Sequence, residues 1–337
     1  MIINYAKYWL HISTIRQNIT SGEKMHLQQM IQNFKFHCEF EKNLSTKTLQ
    51  AYKIDLNQFE TFKNYKDIDI KLFDKNLLKE YIQSLYQLNL KAKTIKRKIA
   101  VLKTFFIYLE FEEIILISPF RKMRVSIKEP KLLPKTMELQ EVRKILKYIY
   151  KLKDNYIKQD IYSYKALIRD IVVIEILFST GMRVSELCNL KQKNINIQTG
   201  IVKINGKGSK ERIIQICDNE VKRLLKEYIN LFHNELSNKE YYLINRLGNQ
   251  LSEQSVRFMI NKYQKLAKIE KHITPHMFRH SFATLLLEEG VDIRYIQHML
   301  GHSSISTTQI YTKVNMKQQR KILNTKHPRR TFSFIDE

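Results

Sequence analysis

One short segment with β character stands among long runs of helical periodicity, and this contrast limits the architectures open to the chain. Residues 194–216 contain strand-like runs separated by Thr199-Gly200 and by residues 206–209, which predicts three short antiparallel strands. Most of the remaining sequence places apolar residues at helical spacing. The sequence therefore predicts a mainly α fold with a small antiparallel β-sheet, and its 337 residues can form two cores.

Prolines and cations divide the helical patterns into two blocks. In the first block, Ser45 and Asp74 stand where side-chain oxygens can cap the second and third of four predicted helices. Three of the five prolines lie between the blocks and prevent a continuous helix there. We expect an N-terminal extension, a helical domain, a basic linker, a second domain with the sheet and a C-terminal tail, at residues 1–24, 25–118, 119–136, 137–325 and 326–337.

The chain carries a large surplus of positive charge. It has 58 Lys and Arg against 33 Asp and Glu, which gives a formal net charge of +25 at pH 7. Because such a surplus repels itself in a compact fold, it favours a polyanionic partner such as nucleic acid. A proteome enriched in lysine by AT-rich coding would give a similar composition, so charge alone leaves both interpretations open.

Cysteine usage and hydropathy favour a cytoplasmic protein. The three cysteines, Cys38, Cys188 and Cys217, are far apart and show neither metal-binding nor disulfide spacing. No apolar run reaches the roughly 18 to 20 residues that a membrane span needs. Cations also interrupt the N-terminal segment, where a secretory signal would be apolar. We therefore expect reduced thiols and a location in the cytoplasm.

The predicted fourth helix carries a basic face as well as an apolar one. Lys93, Lys96 and Lys103 share the basic face, and Arg97 lies beside them. A helix of this kind can contact DNA phosphates while it packs on its own core, so we predict that these four residues bind DNA. A solvated lysine-rich face explains the same pattern equally well.

Two clusters around the β segment contain residues suited to an anionic ligand. Arg183 stands at a predicted helix junction, and Glu186 lies one turn further on, where it can orient the guanidinium. Lys207 lies between two glycines at a predicted hairpin tip and is followed by Lys210 and Arg212, for which we predict DNA contacts. The spacing is not that of a phosphate-binding P-loop. Taken alone, a structural ion pair and an ordinary exposed turn explain these clusters better.

Two further clusters bring histidines together with an arginine and a tyrosine. A proline at the start of a predicted helix places His276 and Arg279 on one face. His276 and His280 have the spacing of a zinc-binding helix, but the glutamate of that motif is absent, so no metal is predicted. His302 and Tyr311 lie on opposite sides of a predicted helix break, where a capping histidine and a core tyrosine are the structural alternative.

Together the clusters supply two arginines, two histidines, a lysine and a tyrosine. Two arginines can hold the non-bridging oxygens of a phosphodiester while negative charge builds up on them. A tyrosine can attack the phosphorus, and a lysine can protonate the departing oxygen. Because a covalent phosphotyrosine conserves the bond energy, this chemistry needs neither metal nor ATP, and no cofactor is predicted. A metal-dependent nuclease fits worst, since the sequence shows no carboxylate cluster.

The clusters, in this order and at these spacings, resemble the tyrosine recombinase (phage integrase) family, most closely its Xer-type members. The matching stretches of the second domain are TGMRVSEL, GKGSKER, PHMFRHSFATLLLEEGVDI and QHMLGHSSISTTQIYTKV. In the first domain, LSTKTLQAYKIDLNQF and KTIKRKIAVLKTFFIYL look like the family's core-binding module. The resemblance covers residues 25–325 and implies a helical core-binding domain that clamps DNA and an α+β catalytic domain.

The resemblance also implies a role for each cluster residue. The roles are two phosphate-clamping arginines, a histidine that accepts a proton or hydrogen bond, a lysine general acid, a stabilising histidine and a tyrosine nucleophile. In this order they fall on Arg183, Arg279, His276, Lys207, His302 and Tyr311. Tyr311 would form a 3′-phosphotyrosyl link, and Glu186 would support the first arginine.

The activity that the resemblance implies is site-specific recombination of double-stranded DNA, in integration, excision or the resolution of chromosome or plasmid dimers. A homo- or hetero-tetramer would act on paired sites, with the C-terminal segment docked on a neighbouring protomer. Residues 150–166 look like an insertion and leave open whether the enzyme serves the chromosome or a mobile element. A type IB topoisomerase with the same chemistry and a catalytically silent DNA-binding regulator are the alternatives.

Overall fold

A computed structural model describes residues 26–129, 135–156, 161–206, 211–301 and 314–334. The chain divides into two units, Met1–Leu132 and Leu133–Glu337, and the division falls inside the predicted linker. No helix within these described ranges is long and apolar enough to cross a membrane. Each unit has its own hydrophobic core, so we describe each by itself.

The first unit consists of amphipathic helices that bury one face each. Its α-helices are α1 (Leu27–Phe36), α2 (Thr46–Thr61), α3 (Lys75–Gln87) and α4 (Ala92–Phe111). A π-helical turn extends α1 over His37–Glu41, and 3-10 turns lie at Phe62–Asp67, Ile70–Leu72 and Pro119–Lys122. The helical prediction for this part of the chain is confirmed.

Local capping and aromatic packing explain why these helices form. The predicted caps are present, because Ser45 Oγ accepts from the Thr48 amide at 3.3 Å and Asp74 Oδ1 accepts from the Leu77 amide at 2.9 Å. Phenylalanines and leucines are the commonest residues of the core, and burial of each such side chain contributes roughly 1.5 to 3 kcal/mol. Phe120 packs into this core, so the start of the predicted linker belongs to the first unit.

The second unit consists of helices and one small sheet. Its helices are α5 (Leu139–Asp154), α6 (Ile161–Thr180), α7 (Val184–Cys188), α8 (Asn219–Leu231), α9 (His233–Leu236), α10 (Glu253–Leu266), α11 (Pro275–Glu288), α12 (Ile293–Leu300) and α13 (Val314–Lys326), with 3-10 turns at Gln192–Asn194 and Pro328–Thr331. Strands β1 (Ile195–Asn196), β2 (Ile201–Asn205) and β3 (Glu211–Gln215) pair antiparallel in the order β1-β2-β3. The prediction of a mainly α fold with three short antiparallel strands is confirmed.

Helix α6 forms the centre of this second core. Its residues 170–180 are all buried, so neighbouring elements must cover it on every side. Helices α5, α8 and α11 pack against it. The helix ends at Gly181, whose φ of +59° suits glycine and turns the chain into α7, as predicted. This turn positions Arg183 at the start of α7.

The predicted insertion at residues 150–166 spans the end of α5 and the start of α6. Lys153 Nζ and Tyr164 Oη both donate to the carboxylate of Glu227 on α8, at 2.6 and 2.7 Å. These contacts attach the described part of the insertion to the unit that carries the sheet.

The C-terminal segment packs on its own unit. Leu323 of α13 is buried in the core, and Gln319 Nε2 donates to the Ile213 carbonyl on β3 at 3.1 Å. Beyond α13, the ring of Phe334 stacks on Tyr150 with centroids 4.8 Å apart. Phe332 and Phe334 are partly buried against the core of the second unit. Docking of the segment on a neighbouring protomer stays a prediction.

Candidate active site

The carboxylate of Glu186 on α7 joins two arginines. It accepts hydrogen bonds from the Arg183 amide at 2.7 Å and from Arg183 Nη1 at 2.8 Å. Arg212 on β3 donates to both carboxylate oxygens, from Nη1 at 2.8 Å and Nη2 at 2.7 Å. Burial acts to raise the pKa of Glu186, but the bonds from Arg212 and Arg183 outweigh it and lower the pKa to about 2. Glu186 is therefore ionised at neutral pH, as its predicted supporting position requires.

Arg212 faces inward, which differs from the predicted DNA contact. Its side chain is 8% exposed, and its Nε donates to the Met299 carbonyl at 2.9 Å. Gly301, with φ of +68°, approaches it closely, since an added Cβ would lie 3.0 Å from Arg212 Cδ. The guanidinium thus holds Glu186 in place. No local sequence pattern predicts this pairing, because Arg212 and Glu186 lie 26 residues apart.

Arg279 on α11 is buried between the ends of two helices. Its Nη1 donates to the Gly181 carbonyl at 2.9 Å and its Nη2 to the Leu300 carbonyl at 2.6 Å. Carbonyls at helix C-termini attract cations, so both ends stabilise the guanidinium. Burial and the nearby charges of Arg183 and Arg212 lower the pKa of Arg279 to about 10. The group still carries its charge at pH 7.

His276 lies in the first turn of α11 and is exposed. Partial desolvation by the surrounding protein, followed by electrostatic interaction with His280, Arg257, Arg279 and Arg183, lowers the pKa of His276 below its usual value of 6.5. The imidazole is therefore neutral at pH 7 and can accept a proton. The same interactions place Arg257, which sequence reasoning missed, near the predicted site.

Three guanidinium groups and one carboxylate leave a surplus of positive charge here. Arg183 and Arg212 bind Glu186, and Arg279 lies near them, so two positive charges remain unbalanced within this group. Arg183 is the accessible member, with 38% of its side chain exposed. Among the residues that the structure describes, no three His, Cys, Asp or Glu side chains form a group that could hold a metal ion. The geometry suits an anion such as a phosphodiester.

Four predicted site residues lie outside the described residues: Lys207, Lys210, His302 and Tyr311. Lys207 and Lys210 belong to the connection between β2 and β3. Strand β2 ends at Asn205 and β3 begins at Glu211, and these two residues are paired. His302 directly follows Gly301 at the end of α12. The roles assigned to these four residues stay predictions.

The cations predicted to bind DNA in the first unit all lie exposed on α4: Lys93, Lys96, Arg97 and Lys103. Lys96 Nζ forms an ion pair with Glu129 at 3.0 Å. Arg97 donates to the carboxylate of Asp55 on α2. The opposite, apolar face of α4 is buried in the core, so the helix has the two faces that the sequence predicted.

Solved structures with this architecture define the class of protein. The XerH site-specific recombinase bound to difH substrate, in a pre-cleavage complex, aligns with a TM-score of 0.63 and 26% identity over 88% of this chain and 84% of that one. A lambda integrase (75-356) dimer bound to a COC′ core site aligns with a TM-score of 0.65 over 83% of this chain and 96% of that one, and at 17% identity it supports the fold alone. The fold and the site define a site-specific DNA recombinase.

Sequence comparison identifies the family. Residues 135–318 match the phage integrase family, and residues 31–113 match the phage integrase N-terminal SAM-like domain. A tyrosine recombinase of Agathobacter rectalis is 49% identical over 313 residues, 91% of this chain and 99% of that protein. Tyrosine recombinase XerC of Staphylococcus epidermidis is 35% identical over 306 residues, 90% of this chain and 98% of that protein. The chain belongs to the phage integrase family of tyrosine recombinases, and the resemblance seen in the sequence is confirmed.

Proposed function

We propose that this recombinase cleaves and rejoins duplex DNA through a 3′-phosphotyrosyl link at Tyr311, with Arg183 and Arg279 holding the reacting phosphate. The positive surplus around Glu186 carries the proposal. Glu186 and Arg212 hold Arg183, and two helix-end carbonyls hold Arg279, so neither guanidinium must reorganise when a phosphate enters. Such fixed donors stabilise charge that develops in a transition state.

In the proposed reaction, His276 accepts one proton and Lys207 donates another. The Tyr311 hydroxyl attacks the phosphorus, its proton passes to neutral His276, and the bond from phosphorus to the 5′ oxygen breaks. Lys207 donates a proton to that oxygen, and His302 stabilises the transition state. The free 5′-hydroxyl of the partner strand then attacks the adduct and releases Tyr311. The adduct conserves the bond energy, so no ATP or metal takes part.

The assembly follows from the exchange of strands between two duplexes, which needs four protomers, either identical or of two kinds. Phosphate contacts supply most of the affinity, so binding weakens steeply as salt is added.

Docking of the C-terminal segment on a neighbouring protomer requires Leu323 and Phe334 to leave the core of their own chain. A disulfide that ties α13 to β3 within one chain tests this exchange, because it blocks recombination only if the segment moves.

Covalent trapping tests the proposed chemistry. Randomly nicked genomic DNA of the source organism is incubated with the protein in EDTA, and denatured protein with attached DNA is collected and sequenced. We expect adducts that share a short sequence, because strand loss at a nick near the cleavage point prevents religation. An adduct that forms only with a divalent metal contradicts the proposed mechanism.

The same preparation separates the alternatives. A type IB topoisomerase relaxes a supercoiled plasmid that lacks the trapped sequence, whereas the proposed enzyme recombines two copies of that sequence and leaves other plasmids supercoiled. A catalytically silent regulator binds duplex DNA and yields no adduct.

A further inference from the structure

The first unit contains a buried carboxylate that no part of the proposed reaction uses. Asp55 lies on α2, and its side chain is fully buried. Lys98 Nζ donates to Asp55 Oδ1 at 2.8 Å and to Gln58 Oε1 at 2.5 Å, while Arg97 Nη1 donates to Asp55 Oδ2. Two cations that are neighbours in sequence on α4 thus approach the two oxygens of one carboxylate.

The two cations differ in exposure. The Lys98 side chain is 6% exposed, whereas the Arg97 side chain is 44% exposed. Lys98 balances the charge of Asp55 within the core, and the charge of Arg97 remains as a surplus at the surface. The bond to Asp55 uses one of the five N–H donors of the guanidinium.

The arrangement repeats the pattern at Glu186. There, a buried carboxylate accepts from a buried cation, Arg212, and from a half-exposed one, Arg183. In both units the carboxylate and the buried cation fix the position of an arginine at the surface. On α4, that arginine lies four residues after Lys93 and one after Lys96, so the three cations share one helix face.

We propose that Asp55, neutralised by Lys98, is a positioning residue that fixes the Arg97 guanidinium at the surface of α4 for contact with a DNA phosphate. The proposal rests on the proposed binding of DNA by the first unit. It adds that Asp55 fixes the side chain that makes one of the phosphate contacts. A fixed guanidinium loses less side-chain freedom on binding than a mobile one, so its contact is stronger.

The test measures binding of the full chain to a fluorescein-labelled duplex of mixed sequence over a series of salt concentrations. Phosphate contacts do not depend on sequence, so this probe suffices. Arg97→Ala should weaken binding by roughly five- to tenfold and lower the slope of log K against log salt by about 0.9. The double variant Asp55→Asn with Lys98→Met should weaken binding nearly as much, although its net charge equals that of the wild type.

This double variant also avoids an unbalanced charge in the core, which Asp55→Asn alone would leave on Lys98. The matched control is Glu80→Gln, which removes a carboxylate from a surface ion pair with Lys63. Loss of a negative charge should leave DNA binding unchanged or slightly stronger. Thermal unfolding of each variant shows whether the first unit remains folded.

The outcomes decide between positioning and a structural role. If Asp55 acts through Arg97, adding the double substitution to Arg97→Ala weakens binding no further. The proposal is overturned if the double substitution weakens DNA binding as much in the Arg97→Ala background as in the wild type. It is also overturned if the Asp55→Asn, Lys98→Met variant binds DNA with wild-type affinity. If the wild type does not bind the duplex at all, the proposed function fails instead.

Discussion

Two buried glutamates of the second unit each bind an arginine, and their surroundings differ in the sign of the charge that is left over. Around Glu186, the guanidinium groups of Arg183 and Arg212 bind one carboxylate, and that of Arg279 lies nearby. Around Glu175, the single guanidinium of Arg329 meets three carboxylates, with nitrogen to oxygen distances of 3.0 Å to Glu175, 2.8 Å to Glu220 and 3.9 Å to Asp218. The first group therefore has more positive than negative charges, and the second has more negative than positive charges.

Exposure separates the two groups in the same way. The Arg329 side chain is 1% exposed, and its Nη1 also donates to the Phe332 carbonyl at 2.7 Å. Arg183 is half-exposed beside the Glu186 carboxylate. A buried arginine whose partners all belong to the same chain stabilises the fold. An arginine that is fixed in position but accessible to solvent can bind a ligand. We therefore propose that the Glu175 group contributes to stability and that the Glu186 group takes part in catalysis.

Of the changes at these two groups, Arg183→Ala should have the largest effect on cleavage. The substitution removes a donor to the transition state, so the rate of covalent adduct formation should fall by roughly 10²- to 10³-fold. Arg223→Ala, which removes an exposed arginine from α8, is the matched control. A rate for Arg183→Ala equal to that of the control would remove Arg183 from the reaction.

An effect on folding alone is expected at the second group. Arg329→Ala leaves Glu175 buried without its cation, which should lower the free energy of unfolding by about 3 to 5 kcal/mol in urea titrations. Adding Glu175→Gln should restore part of this loss, because it removes the unbalanced charge. The rate of adduct formation per folded molecule should stay close to that of the wild type; a large fall would show that the two groups are coupled.

The smallest expected effect appears in acid. The pKa of Glu186 is lowered to about 2 in the folded chain from about 4.5 when unfolded, so the unfolded state binds the proton first as pH falls. The carboxylate therefore contributes stability that is fully present above pH 5 and is lost between about pH 5 and pH 2, about 3 kcal/mol in all. In Glu186→Gln, the free energy of unfolding should change less across this window. Parallel curves for the two proteins would show that Glu186 gains nothing from its arginines.

The sequence predicted those parts of the fold that depend on local patterns. Helix faces repeat within a few residues, and Ser45, Asp74 and Gly181 act on their immediate neighbours. The position of Arg279 near Arg183 came from the order of the family motifs. Local signals suffice where the stabilising contacts themselves are local.

Contacts between distant residues were not predictable in this way. Arg329 lies in the predicted C-terminal tail, yet its partner Glu175 is 154 residues away. Arg212 stands on a strand beside a glycine-rich turn, where an exposed side chain is the usual expectation, and only the packing of β3 on α12 turns it inward. Whether a charged residue is buried depends on partners that only the fold brings together.

The most direct test of the central claim compares Tyr311→Phe with Tyr295→Phe, which changes a tyrosine of α12 in the same way. Both proteins are incubated with the DNA sequence recovered by trapping, carrying a nick beside the cleavage point, and adducts are counted after denaturation. We expect no adduct for Tyr311→Phe, duplex binding near that of the wild type, and normal adduct yield for Tyr295→Phe. An adduct that persists in Tyr311→Phe would contradict the assignment of the nucleophile.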